Sequence, residues 1–336
     1  MIPGCPPGAA AQRVPRIRRQ PHRARLRPAA RVFHPQSMPD TASACPPASP
    51  ATSGKPVGCA SRRPARHIIA RRPPRCPRPG WPQEGSTMNL DRIIAVRTNK
   101  TIYRDGDRCL KVFCESCNKS DIFGEALNQT RAGETGLPVP QVLEVTTIES
   151  KWAIVSEYIK GKTLAQLMEE HPESKEAYLN QFVDIQLSIR EKTCPLLIRL
   201  KDKMNRMICD TDLPATVRFD LHARVDDMPR HYKLCHGDFN PTNIVVTPDG
   251  TPYILDWAQA TQGNAGADAA RTYLLFWLDG DISGAERYLE LFCEKSGADR
   301  EYVKKWMPLV AAAELVKGNA AEREFLRSWI EKPCCQ

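Results

Sequence analysis

A glycine turn between two apolar segments constrains the fold of this chain more than any other feature. The β-rich runs 244–246 and 253–255 flank an Asp-Gly dipeptide, which is a strong signal for a tight turn between antiparallel strands. The pattern predicts a β-hairpin in which paired residue numbers sum to 499. In that register Asn243 faces Asp256 at the open end of the hairpin, with Cβ atoms roughly 4.5–5.5 Å apart.

The polar residues at this open end form a pattern with chemical meaning. The amide oxygen of Asn243 and the carboxylate of Asp256 are hard ligands of the kind that Mg²⁺ takes, together with phosphates and water. Asp238 lies five residues before Asn243, which is the spacing between the Asp and the Asn of the protein-kinase catalytic loop. The alternative is that Asp238 and Asn243 only cap turns. Because the apolar strands, the turn and the second carboxylate are in register, the spacing favours catalysis.

The sequence HGDFNPTN at 236–243, followed by ILDW at 254–257, resembles the aminoglycoside phosphotransferase and choline kinase superfamily, whose members are relatives of protein kinases. The resemblance covers most of residues 90–331 and is strongest at 232–275. It implies a protein-kinase-like fold and an enzyme that transfers phosphate from ATP, with Mg²⁺, to a hydroxyl group of a small molecule.

The resemblance also implies roles for individual residues of this chain. Asp238 is expected to be the catalytic base and His236 to brace the catalytic loop, while Asn243 and Asp256 are expected to bind Mg²⁺. Protein kinases have Arg after the loop His and often Lys two residues after the Asp, where this chain has glycine and asparagine. Both departures favour a small molecule over a protein as the acceptor, such as an aminoglycoside, an amino alcohol or a sugar-like compound.

A second polar cluster is expected in the first half of the folded chain. Lys111 lies inside the apolar strand sequence 110–113, where a buried ammonium is costly unless it has a partner. Kinases place such a lysine on the ATP phosphates and hold it with a carboxylate from a helix. Glu125 on the following helix is the predicted partner, with Glu115 and Asp121 as alternatives. A solvent-reaching Lys111 on an edge strand is the competing explanation.

Further contacts to the nucleotide follow from the resemblance. The segment 156–159 resembles the hinge whose backbone binds adenine, so Glu157 and Ile159 are expected to contact ATP. The turn 104–107 is expected to cover the phosphates, although it has one glycine and lacks the G-x-G-x-x-G pattern of protein kinases. Asp268 and Arg271 lie at the start of a later helix, and structural roles are expected for both.

The order of predicted elements indicates an α+β chain with two lobes. Residues 88–160 are predicted to form a small antiparallel β lobe of about five strands and one helix, and 161–336 a larger, mainly helical lobe that carries the hairpin. Strands are expected at 93–96, 101–104, 108–113, 141–147 and 152–158. One helix is expected to have Ser120 as its cap residue and to run to about Thr135. Further helices are expected at 164–170, 173–192, 266–278, 284–296, 300–317 and 320–331.

Residues 1–87 differ in composition from the rest of the chain. They contain 18 of the 29 prolines and 16 Lys and Arg against two acidic residues, a net charge of +14, whereas 88–336 has a net charge of −5. A segment with so few apolar residues cannot bury enough surface to offset the conformational entropy lost on folding. Disorder is therefore predicted for it. A transit peptide, a nucleic-acid tail and an untranslated segment are the functional alternatives. We favour the last, because residues 83–85 back-translate to a purine-rich ribosome-binding sequence just before the Met88 codon.

Composition also limits the other function classes. The folded part is mildly acidic, which argues against nucleic-acid binding by it, and no apolar run approaches the roughly 20 residues of a membrane-spanning helix. With no signal peptide and irregularly spaced cysteines, a reduced, cytoplasmic location is expected. A nucleotide-binding regulatory module without turnover, and an RNA-binding protein that uses the Arg-rich segment, remain as alternatives to a kinase.

Overall fold

The first lobe is an antiparallel sheet with one helix packed against it. The computed structural model describes residues 92–318 and 320–331, so the predictions for 1–87 lie outside the described residues. The strands are β1 (Arg92–Val96), β2 (Lys100–Asp105), β3 (Arg108–Phe113), β4 (Val142–Ile148) and β5 (Lys151–Glu157). They pair in the order β1-β2-β3-β5-β4, and α1 (Lys119–Glu134) connects β3 to β4. The predicted β lobe with one helix is confirmed.

The buried strand β3 decides where its lysine points. Leu110 and Val112 face one apolar cluster, whereas Phe113 packs on the other face of the sheet with Ile122 of α1. Since side chains alternate along a strand, Lys111 shares the face of Phe113 and points toward α1. β3 also lies between β2 and β5, so Lys111 is not on an edge strand and the competing explanation is wrong.

The helix α1 begins slightly earlier than predicted. Asn118 is its N-cap residue, and the Asn118 carbonyl accepts the N–H of Ile122 at 3.3 Å, so the prediction that Ser120 caps the helix was wrong. Asn and Ser are equally favourable at this position, and the sequence offered both. The predicted end near Thr135 is confirmed, because Gly136 has φ +81°, the left-handed conformation that stops helices.

The second lobe is mainly helical, with short strands between the helices. Its helices are α2 (Leu164–Glu170), α3 (Lys175–Glu191), α4 (Leu200–Cys209), α5 (Ala215–Asp227), α6 (Ala265–Leu278), α7 (Ile282–Ser296), α8 (Arg300–Lys305), α9 (Met307–Leu315) and α10 (Ala320–Ile330). Its strands are β6 (Lys162–Thr163), β7 (Lys233–Cys235), β8 (Ile244–Val246), β9 (Pro252–Ile254) and β10 (Thr261–Gly263). β6, β8 and β9 form one sheet, and β7 pairs with β10. Among the described residues, no helix has both the length and the apolar character needed to span a bilayer.

Local sequence rules explain most helix boundaries of this lobe. Thr163 and Gln166 form a reciprocal capping box at the start of α2, which satisfies backbone N–H groups of its first turn. The predicted helix 300–317 is instead interrupted at Trp306. Pro308 has no N–H to donate and fits only the first turn of a helix, so α9 starts afresh at Met307. The charged stretch 196–231, whose structure the sequence left open, contains α4 and α5.

A continuous apolar core holds the second lobe together and anchors the polar loop that precedes β8. Phe182 of α3 and Phe239 of that loop are fully buried, and their rings stack with centroids 4.5 Å apart. Burying a side chain of this size contributes about 1.5–3 kcal/mol to stability. The loop that carries the polar motif is therefore fixed in place by an apolar residue of its own.

The hairpin formed by β8 and β9 differs from its prediction by one residue. Val245 pairs with Tyr253, so paired residue numbers sum to 498 and the predicted register was wrong. The Gly250 N–H donates to the Thr247 carbonyl at 2.9 Å, and Gly250 has φ +87°. Pro248 fits the first central position of a type I turn, and a left-handed glycine then completes a three-residue loop. The Asp-Gly dipeptide is thus the end of the turn and not its centre.

Candidate active site

The imidazole of His236 holds the motif loop (residues 236–243) against the hairpin. Its Nε2 donates to the Leu255 carbonyl at 2.9 Å, and its Nδ1 accepts the Asp238 N–H at 3.2 Å. Together these bonds require the neutral tautomer with its proton on Nε2. Because the side chain is fully buried, it has no surface to offer a substrate. His236 is therefore a positioning residue for Asp238.

The backbone of the motif loop is held by Asp268 of α6. The Asp268 carboxylate accepts the N–H groups of His236 at 3.2 Å and of Gly237 at 2.7 Å, which is the structural role expected of it. Burial raises the pKa of Asp268, and the two N–H bonds oppose only part of this effect. Gly237 has φ +77°, and a Cβ there would lie 2.5 Å from the Gln259 carbonyl oxygen. Glycine is therefore required at this position.

Asp238 is the acidic side chain of the motif loop that stays accessible. Its side chain is 32% exposed. Asn243 Nδ2 donates to Asp238 Oδ2 at 3.2 Å and to the Asp238 carbonyl at 2.9 Å, so the five-residue spacing brings the two side chains together. Arg271 of α6 approaches the other carboxylate oxygen, with Nη2 3.4 Å from Oδ1. The carboxylate is held in one orientation while part of its surface remains open.

Arg271 connects the motif loop to α9. Its Nε donates to the Gly237 carbonyl at 2.9 Å, and its guanidinium forms an ion pair with Glu314. Burial would lower the pKa of Arg271, but Glu314 and Asp238 outweigh burial and raise it. The sequence indicated only a structural role for Arg271 and missed its contact with Asp238. The available signal was its position one helical turn after Asp268, on the face of α6 that meets the motif loop.

Four charged side chains from both lobes form a compact group, called the charge cluster below. Lys111 Nζ lies 2.8 Å from Glu125 Oε1, which is the predicted pairing, whereas the alternatives Glu115 and Asp121 are not involved. Lys100 Nζ lies 3.1 Å from the same Glu125 oxygen and 3.2 Å from Asp256 Oδ2. Lys111 Nζ is also 3.7 Å from Asp256 Oδ1. Lys100 was not predicted from the sequence, because a lysine at the start of a strand is usually solvated.

Mutual attraction keeps Lys111 and Asp256 of the charge cluster ionised. Burial alone would raise the pKa of Asp256, but Lys111 and Lys100 outweigh burial and hold this pKa well below its ordinary value. Burial would likewise lower the pKa of Lys111, but Asp256 and Glu125 outweigh it and raise this pKa above its ordinary value. Both side chains therefore carry their charges at neutral pH.

Two oxygen ligands suited to a hard cation lie at the open end of the hairpin. One is the carboxylate of Asp256, which has φ +62° and follows Leu255, whose N–H donates to the Asn243 carbonyl at 2.8 Å. The other is Asn243 Oδ1, which accepts no hydrogen bond within the described residues while Nδ2 is used by Asp238. The part of the chain that the structure describes has no group of three or more His, Cys, Asp or Glu arranged for a metal. Two protein ligands are enough for Mg²⁺, which keeps water and phosphate ligands.

The predicted hinge begins where β5 ends. The Glu157 N–H donates to the Gln141 carbonyl at 2.9 Å, and the Tyr158 N–H donates to the Asp107 carbonyl at 2.8 Å. Ile159 is half-buried, and within residues 92–318 and 320–331 its N–H has no backbone partner. The backbone at Ile159 therefore has a donor available for a ligand.

The turn 104–107 lies beside this hinge, so its expected role as a cover for the phosphates is wrong. Asp107 forms an ion pair with Lys160 at 2.8 Å, immediately after the hinge. Lys100 is at the opposite end of β2, about 17 Å away at the usual rise per strand residue, and belongs to the charge cluster. Residues 97–99, which connect β1 to β2, take the position next to the cluster.

A cleft opens beside the motif loop, between α4, α6 and α9. The space between its walls, open solvent included, is about 470 Å³, and Gly237 is part of its lining. Its charged lining residues are Lys203, Asp268, Arg271, Glu314 and Lys317. Asp238 follows Gly237 in the chain and contacts Arg271, so the cleft adjoins the accessible carboxylate.

Comparison with known proteins gives the family. A family model described as the phosphotransferase enzyme family matches residues 99–306, a range that includes the charge cluster and the motif loop. The chain belongs to the phosphotransferase enzyme family. The resemblance found in the sequence is thereby confirmed, and this chain is a phosphotransferase.

Solved structures share the fold of this phosphotransferase at low sequence identity. A choline/ethanolamine kinase family protein from Mesorhizobium loti is 17% identical, with a TM-score of 0.52 over 74% of this chain and 90% of that chain. A thermostable mutant of the aminoglycoside phosphotransferase APH(4)-Ia, in complex with ADP and hygromycin B, is 17% identical, with a TM-score of 0.54 over 70% of this chain and 90% of that chain. Choline kinase LicA from Streptococcus pneumoniae is 15% identical, with a TM-score of 0.50 over 72% of this chain and 94% of that chain. No curated protein sequence matches the chain.

Proposed function

We propose that this protein transfers the γ-phosphate of ATP, bound with Mg²⁺, to a hydroxyl group of a small molecule in the cleft beside the motif loop. The observation that carries the proposal is the setting of Asp238. Its carboxylate is oriented by Asn243 and Arg271, remains 32% exposed, and adjoins a cleft. A base for a hydroxyl group needs this combination of fixed orientation and access.

The charge cluster and the hinge supply the nucleotide side of the proposal. Lys111, held by Glu125, would neutralise phosphate oxygens as the strand lysine of kinases does. The backbone at Glu157 and Ile159 would hold the adenine ring. The solved complexes of APH(4)-Ia with ADP or AMP-PNP, and of LicA with AMP, support a nucleotide as the phosphate donor.

Asn243 and Asp256 would hold the Mg²⁺ ion. Both offer hard oxygen atoms at the end of one hairpin, and Asn243 Oδ1 has no competing partner among the described residues. When bound there, the ion would supply positive charge that offsets the negative charge of the phosphates. The protein would prepare this site by orienting both ligands. Asp238 orients Asn243, and the two lysines of the charge cluster orient Asp256.

Asp238 would accept the proton of the acceptor hydroxyl as its oxygen attacks the γ-phosphorus. The bond that forms joins the acceptor oxygen to this phosphorus. The bond that breaks joins the same phosphorus to the oxygen of the β-phosphate, and ADP leaves with that oxygen. Most of the rate enhancement in such a reaction comes from positioning and charge neutralisation. The anchoring of the motif loop by His236 and Asp268 supports this role, because it removes the freedom of the backbone around Asp238.

The test is the conservative change Asp238→Asn in the full chain. ADP formation from MgATP is followed across a library of hydroxyl compounds, and MgAMP-PNP binding is followed by calorimetry. We expect kcat to fall by about 10²–10⁴-fold, the usual contribution of a general base, with nucleotide affinity changed less than about threefold. Asp184→Asn on the exposed face of α3 is the matched control and should retain activity.

Each other outcome of this test has a definite meaning. Undiminished transfer by Asp238→Asn would refute the base assignment. Nucleotide binding by the wild-type chain with no transfer to any library member would favour a regulatory module without turnover. Failure of the wild-type chain to bind MgAMP-PNP would contradict the proposed function altogether.

A further inference from the structure

We infer that the acceptor carries an anionic group, a carboxylate or a phosphate, which binds Lys203 and Lys317 in the cleft beside Asp238. This inference rests on the proposed function and narrows its acceptor to one chemical class. The inference argues against a polycationic or amino-alcohol acceptor, although the structures with a similar fold include an aminoglycoside phosphotransferase and a choline kinase.

The position of the cleft makes it the place where an acceptor would meet Asp238. Arg271 lines the cleft and also contacts the Asp238 carboxylate, with Nη2 3.4 Å from Oδ1. Gly237, the neighbour of Asp238, lines the cleft as well. The charge cluster and Asn243, which would hold the nucleotide and metal, are not part of this lining. A molecule in the cleft therefore approaches Asp238 without displacing the nucleotide.

Two ammonium groups of the cleft form no ion pair with any carboxylate of the described residues. Lys203 is half-buried, and its Nζ donates to the Gln259 carbonyl at 2.9 Å; an ammonium has three N–H donors, so two remain. Lys317 is exposed at the end of α9. Among the described residues, neither ammonium has a carboxylate within the 4.0 Å of an ion pair. Within the described residues, neither cation is therefore paired directly with an anion, and each has room for one from a ligand.

The carboxylates of the cleft are already engaged. Glu314 is ion-paired with Arg271, and both oxygens of Asp268 accept backbone N–H groups of the motif loop. Asp238 itself is reserved for the acceptor hydroxyl under the proposed function. A cationic acceptor would therefore meet like charges with no free carboxylate to pair with, whereas an anionic acceptor would neutralise the lysines.

The protonation behaviour of Lys203 agrees with this geometry. Burial lowers its pKa to about 7, and the positive charges of Lys317, Arg271 and Arg206 add to this effect, whereas Asp238 opposes it. Burial and Arg271 also lower the pKa of Lys317, whereas Glu314 and Asp238 act in the opposite direction. Binding an anion would relieve this repulsion and restore the charge of Lys203.

A competing role for these lysines is neutralisation of the transferred phosphoryl group, and kinetics separates the two. Lysines that bind the acceptor affect KM for charged acceptors only, whereas lysines that act on the phosphoryl group lower kcat for every acceptor. Lys203→Gln and Lys317→Gln keep the hydrogen-bonding capacity and remove the charge. Lys305→Gln, an exposed lysine on α8, is the matched control.

The first experiment screens full-length protein with MgATP against hydroxyl compounds grouped as matched skeletons. One set is glycerol, ethanolamine, D-glycerate and sn-glycerol 3-phosphate, which are neutral, cationic, carboxylate-bearing and phosphate-bearing. We expect the highest kcat/KM from an anionic class. We also expect Lys203→Gln to raise KM for that class by about tenfold or more, the size of one lost charge-assisted contact, with neutral acceptors changed less than about twofold.

The second experiment needs no turnover. Protein saturated with MgAMP-PNP is titrated with inorganic phosphate and with acetate by calorimetry, and competition by sn-glycerol 3-phosphate tests whether the sites coincide. Binding that is lost in Lys203→Gln and kept in Lys305→Gln supports the inference. Absence of anion binding, equal binding by the two variants, or preferred transfer to neutral or cationic acceptors would overturn it while the proposed function stands. Failure to bind MgAMP-PNP would instead count against the proposed function.

Discussion

Lys100 Nζ lies 3.2 Å from Asp256 Oδ2, and this ion pair joins β2 of the first lobe to the open end of the hairpin in the second lobe. The same ammonium contacts Glu125, so one lysine links both carboxylates of the charge cluster. Asp256 is thus neutralised by protein cations at the position where Mg²⁺ is proposed to bind. Metal binding requires Lys100 to share or release this carboxylate.

Removal of Lys100 is therefore expected to strengthen metal binding by nucleotide-free protein. In Lys100→Met the carboxylate of Asp256 loses one competing cation, and affinity should rise about three- to tenfold, equivalent to about 0.7–1.4 kcal/mol. Titration with Mn²⁺, a probe for Mg²⁺, followed by EPR measures this directly. Lys305→Met serves as the control, and unchanged or weaker Mn²⁺ binding by Lys100→Met would contradict competition.

Substitution of Lys111 and substitution of Glu125, which form a buried ion pair, should lower the stability of the protein by different amounts. Lys111→Met leaves Glu125 paired with Lys100 at 3.1 Å, and we expect a loss of about 1 kcal/mol. Glu125→Gln leaves two ammonium groups sharing Asp256. We expect the free energy of unfolding to fall by about 3 kcal/mol, as for other buried ion pairs that lose one partner. Urea unfolding followed by circular dichroism gives both values. Equal losses would mean that Lys100 does not support Glu125 in solution.

Gly237 is expected to be intolerant of even a methyl group. In Gly237→Ala the new Cβ would lie 2.5 Å from the Gln259 carbonyl, at a residue with φ +77°. We expect a loss of about 2–3 kcal/mol and a shifted Asp238, with phosphoryl transfer reduced at least about 100-fold. Gly297→Ala isolates the backbone strain, because Gly297 has φ +67° and its new methyl group would have no neighbouring atom within 4 Å. That control should lose about 1 kcal/mol and keep its activity, and a similar activity in both variants would refute the argument.

The stability contribution of Lys203 should depend on pH with a definite sign. Its folded-state pKa of about 7 lies below the ordinary value of 10.5, so between these pH values the unfolded chain holds a proton that the folded chain lacks. Stability then rises with pH through this window. Below it, the folded protein bears the full cost of burying the charged ammonium of Lys203. Lys203→Met should therefore stabilise the protein by about 1 kcal/mol at pH 6, discounted for partial solvent exposure. This gain should shrink toward pH 10.

Urea unfolding at pH 6, 8 and 9.5 checks this pH dependence. Lys305→Met is the control and should change stability equally at each pH. A loss of stability at pH 6 in Lys203→Met would show that the ammonium is favourably placed in the absence of a ligand. A gain accompanied by loss of acceptor binding would be a trade-off between stability and function.

Local rules were sufficient for most of the fold. The strands on either side of the Asp105-Gly106 turn, the start of α2 after Thr163 and the end of α1 before Gly136 lie close to their predicted positions. Each depends on residues within about four positions of one another, so short-range chemistry decides it. The hairpin register shows the limit of such reasoning, since Pro248 and Gly250 together select a three-residue turn that the Asp-Gly signal alone does not distinguish.

By itself the sequence determined the family, the spacing of Asp238 and Asn243 and the strand that carries Lys111. Only the tertiary structure decided that Lys100 joins the charge cluster, that Arg271 reaches Asp238, and that Lys203 and Lys317 share a cleft beside it. The physical reason is distance along the chain: Lys100 and Asp256 are 156 residues apart. Their meeting depends on how two lobes pack, which no local pattern encodes.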